Sequence, residues 1–283
     1  MLYETAQYYP AYKSQVQPTP DDVLQERLRR GRPPSQLPPR AQPPFVRFSA
    51  DPEEFSEQPE DKTVRFINRV YLFAGLLIFI TTVQLLSIVF LLKERDKYMT
   101  IAGFVLLAVG FVLLIIFNLF AGVRRIFVLN YILAVLLVEC LALGTIFVLP
   151  DYDIRYVALA IVIALTLLML CYLLGAWLPK NILPNEIVIF IALGALMAVA
   201  IACLIMYFLT RDRRYELGFN GVLLVVVMIS SLYHAQVVHG RRFEVIFKDN
   251  VFCAVTIGVH FVLLFTISHN LIQNIMQFKE LNA

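Results

Sequence analysis

The sequence predicts an all-α, polytopic membrane protein: about seven transmembrane helices in one bundle, behind a disordered N-terminal tail. Three observations predict it. The 283-residue chain is 59% hydrophobic, against roughly 45–50% apolar for an ordinary soluble domain, and its mean hydropathy is +0.73. The apolar residues are gathered into runs of about twenty, the helix length that a hydrocarbon core about 30 Å thick requires. The breaks between runs are short, which forces successive helices to be antiparallel neighbours.

The first region, residues 1–68, reads as a proline- and tyrosine-bearing cytosolic tail. It opens with Tyr3, Tyr8, Tyr9 and Tyr12 and carries the pairs Pro33-Pro34, Pro38-Pro39 and Pro43-Pro44. Such a segment buries too little apolar surface to offset its ordering entropy, so disorder with extended stretches is expected. No two prolines stand in Pro-x-x-Pro register, which gives little support to a ligand for proline-reading domains. One island has helix signals: Thr19 as a cap, Pro20 first, Asp21 and Asp22 in the first turn, Arg27, Arg29 and Arg30 in the last, then Gly31. It is short, and alone in water it is expected to be mostly unfolded. Residues 1–48 contain no early apolar stretch, so no cleavable leader is read, and the first spanning helix is expected to direct insertion.

The second region, residues 69–283, reads as a seven-helix transmembrane domain. The spans are expected at about 70–92, 99–121, 127–149, 156–178, 186–209, 218–238 and 251–272. Between them lie Lys93 to Lys97, Arg124-Arg125, Pro150-Asp151, Pro179 to Pro184, Arg211 to Arg214, and Arg241 to Asp249. The seventh run is the least apolar, and fits either a full span or a helix in the protein interior. Gly103 and Gly110 in the second run, and Ala192, Ala195, Ala198 and Ala202 in the fifth, stand at helix-packing spacing. Lysine and arginine on the two sides nearly balance, so the positive-inside rule does not set the orientation. The long unsignalled tail favours a cytosolic N-terminus.

Charge and cysteine usage exclude several functions. A net charge of +3 with no basic face gives no footprint for nucleic acid. Cys140, Cys171, Cys203 and Cys253 all fall inside expected spans, with no Cys-x-x-Cys pair, and read as buried free thiols. No nucleophile stands beside a base and an orienting group, and no glycine loop could cradle phosphate, so the chain is not read as an enzyme and no cofactor is expected.

An ionisable group at the centre of a spanning helix costs roughly 2.5–3.5 kcal/mol on insertion scales, so each is a functional candidate. Glu139 lies midway along the third run, His234 in the sixth after Ser230, Ser231 and Tyr233, and His260 in the middle of the seventh. Histidine changes charge nearest neutral pH, so His234 and His260, with Glu139, are the candidates for lining a pore and sensing pH. Gln84 and Asn118 read as interior side chains bonded to a neighbouring helix.

The stretch Thr63-Val-Arg65-Phe-Ile67-Asn-Arg69-Val-Tyr71 resembles the opening motif of the transmembrane Bax inhibitor motif family, lifeguard branch. Arg124-Arg125 with Leu129-Asn130-Tyr131, and Glu139 with Gly144, are similar to its middle region. Ser231-Leu-Tyr233-His234-Ala-Gln236 with His239-Gly240 resembles its Tyr-Asp-Thr-Gln and Gly-Gly segment. Asp249-Asn-Val-Phe252-Cys-Ala254, then His260 and Leu264-Phe265, resembles its last helix. The resemblance spans residues 63–265. It implies a seven-helix fold in endoplasmic reticulum, Golgi or related membranes, with the plasma membrane the other site, and a role in calcium homeostasis and apoptosis regulation. It also implies contact with apoptosis regulators through the tail. The family's pore is associated with an aspartate on each of the sixth and seventh helices. This chain departs at both positions, with His234 and His260, which counts against calcium conduction. A non-conducting membrane scaffold of the same fold is the alternative. A zinc-dependent intramembrane hydrolase is a third reading, but the four histidines do not stand at His-x-x-x-His spacing. A seven-helix receptor lacks its Asp-Arg-Tyr and Asn-Pro-x-x-Tyr signals.

Overall fold

A computed structural model describes residues 59–91, 97–120, 126–149, 153–179, 184, 186–240 and 249–281. The tyrosine cluster, the proline pairs, the helical island at 19–31, Arg124-Arg125 and most of the charged breaks lie outside them. The described residues form seven long helices: α1 Pro59–Leu91, α2 Lys97–Leu119, α3 Phe127–Val148, α4 Ile154–Trp177, α5 Glu186–Thr210, α6 Arg213–Val238 and α7 Asn250–Leu281. Each is long and apolar enough to span a bilayer. The chain is an integral, multi-pass membrane protein whose solvent is lipid.

Helix ends, not helix identities, differ from expectation. Helix α1 begins at Pro59 rather than near 70; the apolar run stops at the edge of the hydrocarbon but the helix does not, and proline suits a first turn. Helix α6 begins at Arg213 rather than 218, because Asp212 caps it by accepting from the Arg214 backbone N–H at 3.0 Å. Asp153 does the same for α4, accepting from the Arg155 N–H at 2.9 Å. Each satisfies a donor left open by the first helical turn. The Arg155 side chain also bonds Asp153, holding its carboxyl below the usual range.

Helix α7 is the axis. It packs against α1, α3, α4 and α6, and 72% of its central window is buried. The seventh run, expected to be the least apolar, is the most enclosed helix, where neighbouring helices can satisfy its polar groups; the sixth helix is in fact the least apolar of the seven. Helix α2 packs on α3, and α5 on α6, at the periphery; only 17% and 11% of their windows are buried. Alternation of direction places the start of α1 and of α7 and the ends of α4 and α6 on one side. Gln236 Nε2 donates to the Leu178 carbonyl across the ends of α6 and α4. Arg213 donates to Gln277 at the other side, joining the start of α6 to the end of α7.

Glycine sets the packing of α2 on α3. A Cβ on Gly103 would come within 2.9 Å of Val148 and 3.0 Å of the Gly144 carbonyl, and one on Gly144 would meet the Leu107 backbone N at 2.8 Å. Gly110 sits as close to Leu141, so the expected small-residue face of α2 lies on α3. The alanines of α5 behave differently. Ala192, Ala195, Ala198 and Ala202 are exposed, and Ile189 and Ala200 are its buried residues. That stripe faces away from the bundle.

Candidate functional site

The buried face of α4 places the centre of the site. Val157, Ala160, Ile161, Ala164, Leu168, Cys171, Tyr172 and Gly175 are buried, at spacings of three and four, so one stripe of the helix lies inward. Gly175 brings α4 against α6 backbone to backbone: a Cβ there would lie 2.6 Å from both the Leu232 carbonyl oxygen and the Ala235 Cβ. One turn before Gly175, this approach delivers Tyr172 to His234, which lies between Leu232 and Ala235.

The structure places His234 and His260 side by side, their ring centroids 5.7 Å apart and their planes at 77°. Tyr172 joins them. Its Oη lies 2.8 Å from Nδ1 of His234 and 3.0 Å from Nδ1 of His260. Nε2 of His260 lies 3.2 Å from Ser230 Oγ. Nε2 of His234 is shut off from the surface and has no hydrogen-bond partner. A second tyrosine–histidine pair adjoins the first: Tyr71 Oη lies 3.0 Å from Nε2 of His239 at the end of α6, and the Tyr71 ring meets Tyr172 edge to face at 6.3 Å.

Glu139 is not part of this cluster. It lies on α3, half-buried, and its side chain hydrogen-bonds Gln84 of α1; its Oε1 and Gln84 Oε1 are buried without a partner. Glu139 therefore does not counterbalance either imidazole. Gln84 bonds a neighbouring helix as expected. Asn118 instead bonds its own helix, donating to the Leu114 carbonyl at 2.8 Å, and faces outward. Cys140, Cys171 and Cys253 are buried and Cys203 is partly exposed, with no disulfide joining any two of them.

Sequence reasoning missed Tyr172. Its partners are 62 and 88 residues away on other helices, and a tyrosine in an apolar run costs too little to mark itself. The signal that could have found it is the small-residue stripe of α4, whose last members flank it.

Chemically the cluster offers imidazole nitrogens and hydroxyls, with no carboxylate bonded to it. Imidazole suits softer metals, whereas calcium prefers six to eight hard oxygen ligands. Among the described residues, no three histidine, cysteine or acidic side chains converge to hold a metal ion. No protein-family model, curated protein or solved structure matches the chain.

Proposed function

We propose that the chain is a lifeguard-like membrane regulator of apoptosis and intracellular calcium balance, in which histidines stand where the family's pore aspartates would be. The observation that carries this reading is the pairing of His234 with His260. The resemblance assigns these two positions, on separate helices, to one pore, and they adjoin at 5.7 Å in the bundle core. The tail is cytosolic in this reading and meets apoptosis regulators, the membrane is that of the endoplasmic reticulum or Golgi, and the protein is not an enzyme.

A second reading, a non-conducting scaffold of the same fold, has its own support. Phe261, Leu264 and Phe265, all fully buried, follow His260 along α7. A buried apolar stretch beside a carboxylate-free pair offers a calcium ion no ligands. In both readings the protein acts on cell survival, and they divide over whether it also acts on store calcium.

The test is removal of the protein from cells that produce it, with survival under calcium-store depletion and store calcium content both measured. Altered survival is expected, restored by the intact chain. Altered survival with unchanged store calcium selects the scaffold. Unchanged survival and unchanged store calcium would contradict the proposal.

A further inference from the structure

We propose that a groove between α2, α3 and α7 is a lipid site, holding one acyl chain of a glycerophospholipid from the leaflet in which α7 ends, with the lipid's ester oxygens at Asn270. The inference rests on the shape and chemistry of the groove and not on the calcium reading.

For most of its length α7 is enclosed on every face but one. Between Val251 and Asn270 only Phe252, Thr256, Leu263, Thr266 and Asn270 escape full burial. Their spacings are those of a single helix stripe. Helix α2 covers the start of that stripe. The Phe117 ring, near the end of α2, stacks on Phe252 with centroids 6.0 Å apart and planes at 25°. Toward the other side of the membrane α2 stays on α3, held by Gly103 and Gly110, and leaves α7 uncovered. The space between has a volume of about 250 Å³, walled by Leu107 of α2, Leu141 of α3, and Val259 and Leu263 of α7. Leu263 is 42% exposed, so the groove opens sideways to lipid.

Length and polarity match a lipid chain. The lining of α7 runs from Val259, beside His260 at mid-helix, to Asn270. At a rise of 1.5 Å per residue this is about 16 Å, and one leaflet of a hydrocarbon core about 30 Å thick is about 15 Å deep. The inner half is apolar, and the polar lining residues Thr145, Thr266 and Asn270 lie in the outer half. Thr266 spends its hydroxyl proton on the Val262 carbonyl at 2.7 Å, so it can only accept. The Asn270 amide carries N–H donors. Asn274, one turn further along the same face, has a buried Nδ2 with no partner. Such donors suit the carbonyl oxygens of a lipid ester. No lining residue is charged, so an ionised free fatty acid would meet no cation here, whereas an ester needs none. Other occupants fit worse. A second helix is at least 10 Å across, and Leu107 and Leu263 hold off the close backbone approach that small residues would admit. A non-helical peptide would carry unsatisfied backbone groups into hydrocarbon. Left empty, the lining would lose its dispersion contacts on one side.

The test is photolabelling of the full chain in phosphatidylcholine vesicles that include phosphatidylcholine with a diazirine at the end of one acyl chain. Labelled residues are read by mass spectrometry. Val259 is 9% exposed, and Val199, midway along α5, is 50% exposed. Lipid that merely surrounds the protein labels Val199 more. A chain resident in the groove labels Val259 more, and that is the expected result. Leu263→Trp, which fills the groove, should remove the label from Val259 and leave it on Val199. Asn270→Leu should lower the Val259 label about threefold, the effect of one hydrogen bond inside a bilayer. Labelling that follows exposure, or a Val259 label unchanged by Leu263→Trp, would overturn the site. Displacement of the label by an equal amount of free fatty acid would overturn its assignment to a phospholipid. The wild-type pattern decides the matter even if a variant fails to fold.

Discussion

Tyr172 joins three helices through one oxygen, and the magnitudes say what its loss should do. Interhelical hydrogen bonds inside a bilayer average about 0.6 kcal/mol, because the unfolded helices also find partners in lipid. Tyr172→Phe keeps the ring and its packing against Tyr71, so it should cost about 1 kcal/mol in total and leave the bundle folded. The expected outcome is a near-normal unfolding midpoint in detergent together with altered histidine NMR spectra. Loss of several kcal/mol would mean that the tyrosine is mainly structural. The histidines were legible in the sequence because a spanning segment excludes ionisable groups unless something requires them. Their juxtaposition was not legible, since it depends on which faces of α6 and α7 meet. Glu139 was legible for the same reason as the histidines and belongs elsewhere, beside Gln84.

At the scale of the element, glycine and aspartate decide more than hydropathy does. Gly175 has no room for a methyl group: its nearest obstacle is the Leu232 carbonyl, part of a helix backbone. Forcing atoms into such a contact typically costs about 1–3 kcal/mol. Gly175→Val should therefore destabilise more than Tyr172→Phe, and should separate Tyr172 from His234 by moving α4 outward. Thermal unfolding and the histidine spectra together check this. Gly194, with nothing within 4 Å of its would-be Cβ, is the control: Gly194→Ala should be neutral or slightly stabilising. Helix cores could be read from the sequence because bilayer thickness fixes their length. Helix ends could not, because Asp212 and Asp153 extend α6 and α4 by local capping that no apolar run records. Asp153 gives an acid-range expectation. Its carboxyl is held below the usual range by Arg155, so the ionised cap is in place above the free-aspartate value and is lost only as pH falls through the lowered one. Arg155→Gln should move that loss to higher pH, read as amide exchange in the first turn of α4.

For the whole molecule, the order of helices follows from one requirement: polar groups in lipid need protein neighbours. The seventh run carries Thr256, His260, Ser268 and His269, and the bundle closes around it. That solution was one of two the sequence left open. The alanine stripe of α5 shows the converse, a small-residue pattern that reads as packing and lies on an outward face. Seven spans put the two termini on opposite sides of the membrane. With a cytosolic N-terminus, protease added to sealed microsomes should remove residues before Pro59 and spare the C-terminus. A protected N-terminus would reverse the orientation.

The central functional claim is that His234 and His260 occupy a pore position and, as imidazoles, withhold calcium from it. Calcium flux through the purified protein in liposomes at neutral pH tests it most directly, with the wild type beside the double variant His234→Asp and His260→Asp. The account predicts no wild-type flux above empty liposomes and flux through the double variant, which supplies the two carboxylates a hard cation needs. Robust wild-type flux that the double substitution leaves unchanged would contradict it, and so would a folded double variant that stays silent.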